Sequence, residues 1–337
     1  MNTRRILAGA SALPAFFLIA AAADVPPKVP LGLPPVTWPK DNPYSQAKAD
    51  LGRLLYFDRR LSADETVSCA TCHAPQTGFT DGAAVSTGIK SQKGGRSAPT
   101  VINRVYSMAQ FWDGRAASLE EQAKGPIANP IEMGMTHDGA VAGIRKVAGY
   151  RPLFVKAFGT DVIDIDTIAK AIACFERTVV SGNSPYDRYK RGDKKAMTAE
   201  QVRGMDIFVN KAKCDTCHEG ATFTLNAYHN LGVGMDKPEP DLGRFAVTKD
   251  PRDWGAFKTP TLREVEHTGP YMHDGSLKTL DEVVEFYNKG GVPNKNLDAN
   301  MKQLHLNDQE KKDLVAFLKA LSGEGWQSIL APLEFPK

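Results

Sequence analysis

A five-residue pattern, C-x-x-C-H, occurs twice in this chain and constrains its fold more than any other feature. The two copies supply four thiols and two imidazoles: Cys69, Cys72 and His73, then Cys214, Cys217 and His218. This spacing is that of c-type haem attachment, in which two thiols form thioethers with one haem and the adjacent histidine binds its iron. A single C-x-x-C could also be a redox dithiol or half of a zinc site. Two copies, each followed directly by histidine, favour two covalently bound haem c groups and leave no pair of these cysteines for a disulfide.

The segments around the two motifs also repeat. Residues 47–57 and 198–209 read as amphipathic helices that precede the motifs, and Thr198 with Gln201 forms the pattern of a helix-capping box. Residues 166–181 and 307–321 carry apolar side chains at helical spacing and follow the motifs. The sequence therefore predicts a mostly α-helical protein of two cytochrome c-like domains, each built around one haem.

Length and turn-forming residues indicate where these domains divide. The chain has 337 residues, enough for two domains with real cores. Residues 181–185 (SGNSP) are rich in turn formers and predict the connection. We expect an N-terminal haem domain over residues 24–184 and a C-terminal haem domain over residues 185–337.

The first 23 residues have the composition of an export signal. Arg4 and Arg5 precede an apolar run, and alanines at 20–23 provide a cleavage site, so residues 1–23 predict a secretory signal peptide and a periplasmic protein that does not span the membrane after cleavage. Residues 24–44 contain seven prolines and predict an extended arm on the body of the protein. The formal net charge is only +3, without the basic excess expected of a nucleic-acid-binding protein.

The remaining cysteine and histidines carry weaker signals. Cys174 lies within the first closing helix and is interpreted as a small buried apolar residue rather than a reactive thiol. The histidines outside the two motifs lie in polar surroundings, which predicts surface or supporting positions rather than iron ligation: His137, His229, His267 and His305.

Several further segments carry a resemblance to a known family. They are residues 110–116 (QFWDGRA), 122–127 (QAKGPI), 132–133 (EM), 260–263 (PTLR) and 271–275 (YMHDG). The chain resembles the bacterial di-haem cytochrome c peroxidase and MauG family over residues 47–322. The resemblance implies an N-terminal haem where hydrogen peroxide reacts and a six-coordinate C-terminal haem that exchanges electrons with it.

The chemistry of peroxide cleavage indicates which side chains to look for. A general acid–base must move a proton from one peroxide oxygen to the other, and a polar group must hold the departing oxygen. By resemblance, Glu132 and Gln122 match the carboxyl and amide of the family's active site, and Pro126 matches a further residue of that pocket. Trp112 matches the tryptophan that lies between the two haems; its alternative interpretation, a core aromatic residue, is compatible with this position.

Two departures from the peroxidases distinguish this chain. Many relatives carry a histidine, in a loop that corresponds to residues 87–95, that binds the N-terminal haem iron at rest. Here Ile89 stands at that position and the loop has no histidine, which predicts a five-coordinate haem at His73 that needs no reductive activation.

The second departure concerns the C-terminal haem. The helix that follows residues 271–275 supplies an axial methionine in the peroxidases, whereas Tyr287 stands there in this chain, as in MauG-like proteins. A phenolate oxygen favours higher oxidation states of iron than a thioether does. Met272 and His273 are the alternative ligands.

The resemblance also implies a calcium ion between the domains. Carbonyl oxygens of Thr268 and Pro270 match two of its ligands, and Ser97 replaces an asparagine that supplies the third. A hydroxyl group is a weaker oxygen donor than an amide carbonyl, so this site is expected to be weaker than in relatives.

Together these features predict a periplasmic MauG-like di-haem peroxidase. Hydrogen peroxide would oxidise the haem at His73, and the oxidising equivalents would be shared with the second haem through Trp112. The external donor would be side chains of a partner protein. The alternatives are a conventional peroxidase that receives electrons from a small c-type cytochrome or a cupredoxin, and a di-haem electron carrier without catalysis.

Overall fold

A computed structural model describes residues 24–337, and this part of the chain is mainly helical; the predicted signal peptide, residues 1–23, lies outside the described residues. The described part contains eleven α-helices: α1 (Gln46–Phe57), α2 (Cys69–Cys72), α3 (Leu119–Ala128), α4 (His137–Arg145), α5 (Tyr150–Phe158), α6 (Ile165–Glu176), α7 (Pro185–Lys190), α8 (Ala199–Asp206), α9 (Phe245–Thr248), α10 (Leu280–Asn288) and α11 (Asp308–Lys319). Two short antiparallel strands, β1 (Tyr228–His229) and β2 (Phe257–Lys258), form its one small sheet. The predicted mostly α-helical fold is confirmed.

Capping side chains determine where the paired helices begin. Thr198 caps α8 and forms the expected capping box with Gln201, and Asn307 caps α11. The prediction that the first closing helix reaches residue 181 is wrong, because α6 ends at Glu176. Beyond the end of α6, the Asn103 backbone amide donates to the Val179 carbonyl, so this carbonyl has a long-range partner instead of a helical one.

The same helix crossing occurs in both halves of the chain. In the first half α1 packs against α6, and in the second α8 packs against α11. Each crossing is close because a glycine lies in it: a β-carbon at Gly52 would lie 1.8 Å from the Ala171 carbonyl oxygen, and one at Gly204 would lie 1.9 Å from that of Asp313. Each pair contributes to its own apolar cluster, one gathered over residues 51–179 and one over residues 197–321.

Buried polar contacts and terminal segments join the two halves. The Ser181 hydroxyl of the first half donates to the Glu264 carboxylate of the second, and both residues are almost fully buried. The N-terminal arm has no regular secondary structure and lies on the body as predicted: the Gly32 carbonyl accepts from Arg263, and the Leu31 carbonyl accepts from Asn183. At the other end of the chain, Trp326 packs into the first apolar cluster. Among the described residues, no helix combines the length and the apolar character needed to cross a bilayer.

Candidate functional site

The first C-x-x-C-H motif lies on the short helix α2 and the residue that follows it. The Nδ1 atom of His73 lies 3.3 Å from the Phe79 carbonyl oxygen, and the Tyr56 hydroxyl donates to the His73 carbonyl at 2.8 Å. Because Nδ1 has a backbone partner, Nε2 is the nitrogen left for a metal. Burial also lowers the pKa of His73, which keeps the imidazole neutral as metal binding requires.

The second motif repeats this arrangement. The Nδ1 atom of His218 lies 3.0 Å from the Phe223 carbonyl oxygen, and burial lowers the pKa of His218 to about 4. In both motifs the residue that supplies the carbonyl follows the histidine by five or six positions and has a positive φ angle. The two histidines are therefore oriented by the same local device.

The thiols of these motifs fit haem attachment better than redox or thiolate–metal chemistry. Burial raises the pKa of Cys72 to about 11 and that of Cys214 to about 12, whereas reactive cysteines have lowered pKa values and accessible thiolates. In the described residues, 24–337, no group of three or more His, Cys, Asp or Glu side chains is arranged to hold a metal ion. Two thiols and one imidazole in each of two largely apolar cavities match haem c. Cys174 is fully buried on α6, as predicted.

Each motif lines its own cavity, and the two cavities share a wall. Cys69, Cys72 and His73 line the first cavity, and Cys214, Cys217 and His218 line the second. The shared wall consists of residues that line both: Ser97, Ala98, Pro99, Thr100, Arg104 and Trp112. Both predicted haem sites thus lie on opposite sides of one short segment of the chain.

Trp112 is the aromatic member of the shared wall. Its indole Nε1 donates to the Ser97 carbonyl at 2.8 Å, and its own carbonyl accepts from the Lys258 amide at 2.8 Å. Ser97 and Lys258 belong to different halves of the chain, so the indole is fixed between them. This is the position that the resemblance implies for an aromatic residue between two haems.

The predicted peroxide-reacting residues meet in the first cavity. Gln122 and Pro126 on α3, and Glu132 in the turn after it, line the same cavity as His73. The Asn129 amide donates to Glu132 Oε1 at 2.7 Å. Burial raises the pKa of Glu132, while Arg115 and the Asn129 hydrogen bond act in the opposite direction. A carboxyl group in this position can both accept and return a proton.

Ile89 is not one of the described residues that line this cavity. Its side chain is buried, 4% exposed, in the first apolar cluster, and its amide donates to the Glu132 carbonyl at 2.9 Å. The neighbouring residues Gly88, Gly94 and Gly95 do line the cavity. The loop therefore approaches the cavity with glycine backbone and turns its one large apolar side chain away.

All three candidate ligands of the second iron line the second cavity. Tyr287 comes from α10, and burial raises the pKa of its phenol well above the usual value. A bound metal acts in the opposite direction, because it favours the deprotonated ligand. Met272 and His273 come from the preceding turn, and the His273 ring lies flat on Phe257, with ring centroids 3.6 Å apart.

The residues of the predicted calcium site lie on the wall of the second cavity. Thr268, Pro270 and Ser97 all contribute to it. They offer neutral oxygen atoms, whereas strong calcium sites include carboxylates.

The structure adds residues that sequence patterns did not identify. His229, expected at the surface or in a supporting position, lines the second cavity with its Nδ1 2.6 Å from Asp298. Arg104, Lys258 and Glu176 are buried charged residues of the cavity walls. Burial lowers the pKa of Lys258 to about 6 and raises that of Glu176 to about 8.

Comparison with known proteins agrees with this arrangement. Residues 46–195 match the family described as di-haem cytochrome c peroxidase. The chain is 43% identical to the methylamine utilization protein MauG of Methylorubrum extorquens, over 86% of this chain and 82% of that protein. The chain belongs to the di-haem cytochrome c peroxidase family. It is also 41% identical to the cytochrome c551 peroxidase of Nitrosomonas europaea, over 84% of this chain and 82% of that protein.

A solved structure extends the match to the whole fold. The crystal structure of a MauG-like protein associated with microbial copper homeostasis superposes with a TM-score of 0.82 at 35% identity, over 92% of this chain and 97% of that one. This member of the di-haem peroxidase family is therefore an oxidoreductase that acts on peroxide, and family membership implies two haem c groups.

Proposed function

We propose that this chain reacts with hydrogen peroxide in the first cavity, at a haem that Cys69, Cys72 and His73 would hold. When bound, the haem supplies the iron that binds peroxide and the electrons that cleave its O–O bond. The observation that carries the proposal is that Glu132 and Gln122 line one cavity with His73, while Ile89 of the adjacent loop is turned away from it.

The roles of the side chains follow from their chemistry. The Glu132 carboxylate would accept a proton from one peroxide oxygen and return it to the other, which leaves as water. The Gln122 amide donates a hydrogen bond to that departing oxygen, and Pro126 keeps this part of the wall apolar. Cys69 and Cys72 would attach the haem and His73 would bind its iron.

We propose that this chain belongs to the MauG-like branch of its family. Cys214, Cys217, His218 and Tyr287 of the second cavity would hold the second haem. An anionic oxygen ligand such as Tyr287 would favour the higher oxidation states of its iron. Trp112 would carry electrons between the two sites. In this proposal the final electron donor is a partner protein, oxidised at a distance, and the enzyme acts in the periplasm.

A conventional peroxidase is the second candidate. Its support is the similar identity to the cytochrome c551 peroxidase of Nitrosomonas europaea, 41%, compared with 43% to MauG of Methylorubrum extorquens. In that case a small c-type cytochrome or a cupredoxin would supply the electrons. A non-catalytic electron carrier has less support, because it would not need Glu132 and Gln122 in the first cavity. We also propose a weak calcium site at Thr268, Pro270 and Ser97.

Electron paramagnetic resonance of the resting ferric holoprotein tests the proposal. One high-spin and one low-spin haem are expected, because only the second iron has two protein ligands. Two low-spin signals would refute the open first site. Steady-state peroxide turnover with a reduced cytochrome or cupredoxin would favour the conventional peroxidase, whereas radical formation on one partner protein would favour the MauG-like enzyme.

A further inference from the structure

The loop at residues 87–93 is folded tightly against itself. Thr87 pairs with Lys93 in an antiparallel bridge, and the Gly88 amide donates to the Gln92 carbonyl at 2.8 Å. The Lys93 ammonium donates to the Thr87 hydroxyl at 2.6 Å across the same bridge. The segment is thus a closed turn with its own hydrogen bonds.

One side of this turn lies on the backbone that carries Glu132. The Ile89 amide donates to the Glu132 carbonyl at 2.9 Å, and the Gln92 side-chain amide donates to the Pro130 carbonyl at 3.2 Å. The approach at Gly88 leaves no space for a side chain, because a β-carbon there would lie 2.0 Å from the Ile131 carbonyl oxygen and 2.6 Å from that of Glu132.

The Ile89 side chain packs the 87–93 turn against the first apolar cluster. It is buried in the first apolar cluster together with Met133. It also contacts the chain that follows Met133, since a β-carbon at Gly134 would lie 2.3 Å from Ile89 Cδ1. Three kinds of contact therefore hold Glu132 in place. The Ile89 amide donates to its carbonyl, the Asn129 side chain donates to its carboxylate, and the Ile89 side chain packs against the residues that follow it.

We infer that Gly88 and Ile89 are positioning residues for Glu132, so that the 87–93 turn acts as a support for the acid–base carboxyl group. This inference rests on the proposed function, because it requires that Glu132 moves a proton. The turn contributes through backbone contact and packing, and it needs glycine at 88 and a large apolar residue at 89.

The test compares Gly88 with a glycine that lines neither cavity. Gly88→Ala must displace the Glu132 backbone, whereas Gly143→Ala is the control because a β-carbon at Gly143 would lie 3.5 Å from the Arg60 carbonyl oxygen, at an ordinary contact distance. A displacement of about 1 Å in a catalytic group can reduce a rate by about 10²-fold. We therefore expect the rate of reaction with peroxide, measured by stopped-flow absorbance, to fall about 10²-fold in Gly88→Ala and to stay at the wild-type value in Gly143→Ala.

The double variant separates positioning from general damage. If Gly88 acts through Glu132, then Gly88→Ala/Glu132→Gln reacts no more slowly than Glu132→Gln alone, and Gly88→Ala loses the pH dependence that Glu132 causes. Additive effects, or an unchanged rate in Gly88→Ala, would overturn the inference. A normal rate in Glu132→Gln alone would instead overturn the proposed function.

Hydrogen exchange of the wild-type holoprotein gives a readout that needs neither turnover nor a variant. The Ile89 amide is expected to be protected because it bonds to the Glu132 carbonyl, while the amide of Gly95 exchanges rapidly. Exchange of the Ile89 amide at the rate of an unfolded chain would contradict the inference that the 87–93 turn supports Glu132.

Discussion

At the residue scale, Glu132 is the proposed acid–base group for the reaction with peroxide. Its carboxyl group must be ionised to accept the first proton, and burial raises its pKa above the usual value. The rate should therefore decrease as the pH falls through this raised pKa, and the decrease should begin at a higher pH than for an exposed glutamate. Stopped-flow rates measured against pH test this sign.

The matched variants are Glu132→Gln and Glu239→Gln, since Glu239 is an exposed carboxylate. General acid–base groups contribute about 10²–10⁴-fold, so Glu132→Gln should lower the rate by that factor and flatten the pH dependence. Glu239→Gln should change neither. A pH profile that survives in Glu132→Gln would assign the titration to another group.

Tyr287 supports a second prediction at the scale of one residue. Replacement of an anionic oxygen ligand by a thioether should raise the midpoint potential of the second haem, on the order of 100 mV, because axial ligands tune haem potentials over hundreds of millivolts. Spectroelectrochemical titration of Tyr287→Met measures this change. Tyr271→Phe is the control, since Tyr271 lines the same cavity but donates its hydroxyl to the Val265 carbonyl. An unchanged potential in Tyr287→Met would indicate Met272 or His273 as the ligand.

At the scale of secondary structure, local patterns predicted how helices begin better than how they end. Thr198 and Asn307 start helices because capping depends on residues three positions apart. The end of α6 depends on Asn103, which lies more than seventy residues earlier in the chain, and no local pattern contains that information. The place of His229 in the second cavity could not be predicted locally for the same reason, since its partner Asp298 is 69 residues away. The haem-attachment residues were predictable because their chemistry fixes a short spacing.

The glycine at the α1–α6 crossing leads to a stability prediction. A methyl group at Gly52 would overlap the Ala171 carbonyl, so Gly52→Ala should lower the free energy of unfolding by about 2–3 kcal/mol. Gly143→Ala is the control, because that helical glycine has space for a β-carbon and alanine favours helix by up to about 1 kcal/mol. Denaturant titration of the holoproteins measures both. Equal stability of the two variants would mean that the crossing relaxes without cost.

At the scale of the whole molecule, the two halves form one unit because their contacts are buried. The Ser181–Glu264 hydrogen bond, the Trp326 packing and the shared cavity wall each connect residues that are far apart in sequence. Leaving a buried polar group without its partner typically costs about 1–3 kcal/mol, so the halves are expected to keep a fixed separation during turnover. A fixed separation is what electron exchange through the wall requires.

Trp112 allows this idea to be tested, because it is the aromatic residue of that wall. Trp112→Phe should leave the reaction of peroxide with the first haem nearly unchanged, since Trp112 takes no part in proton transfer. The spectral change of the second haem after peroxide addition should become slower by at least about tenfold, because phenylalanine is harder to oxidise than tryptophan and lacks the hydrogen bond to Ser97. Stopped-flow spectra resolve the two steps. The control is Trp254→Phe, since Trp254 packs against Phe245 with the rings tilted by 50° and lines neither cavity. If both variants oxidise the second haem at the wild-type rate, then electrons cross the wall by a route that does not use the indole.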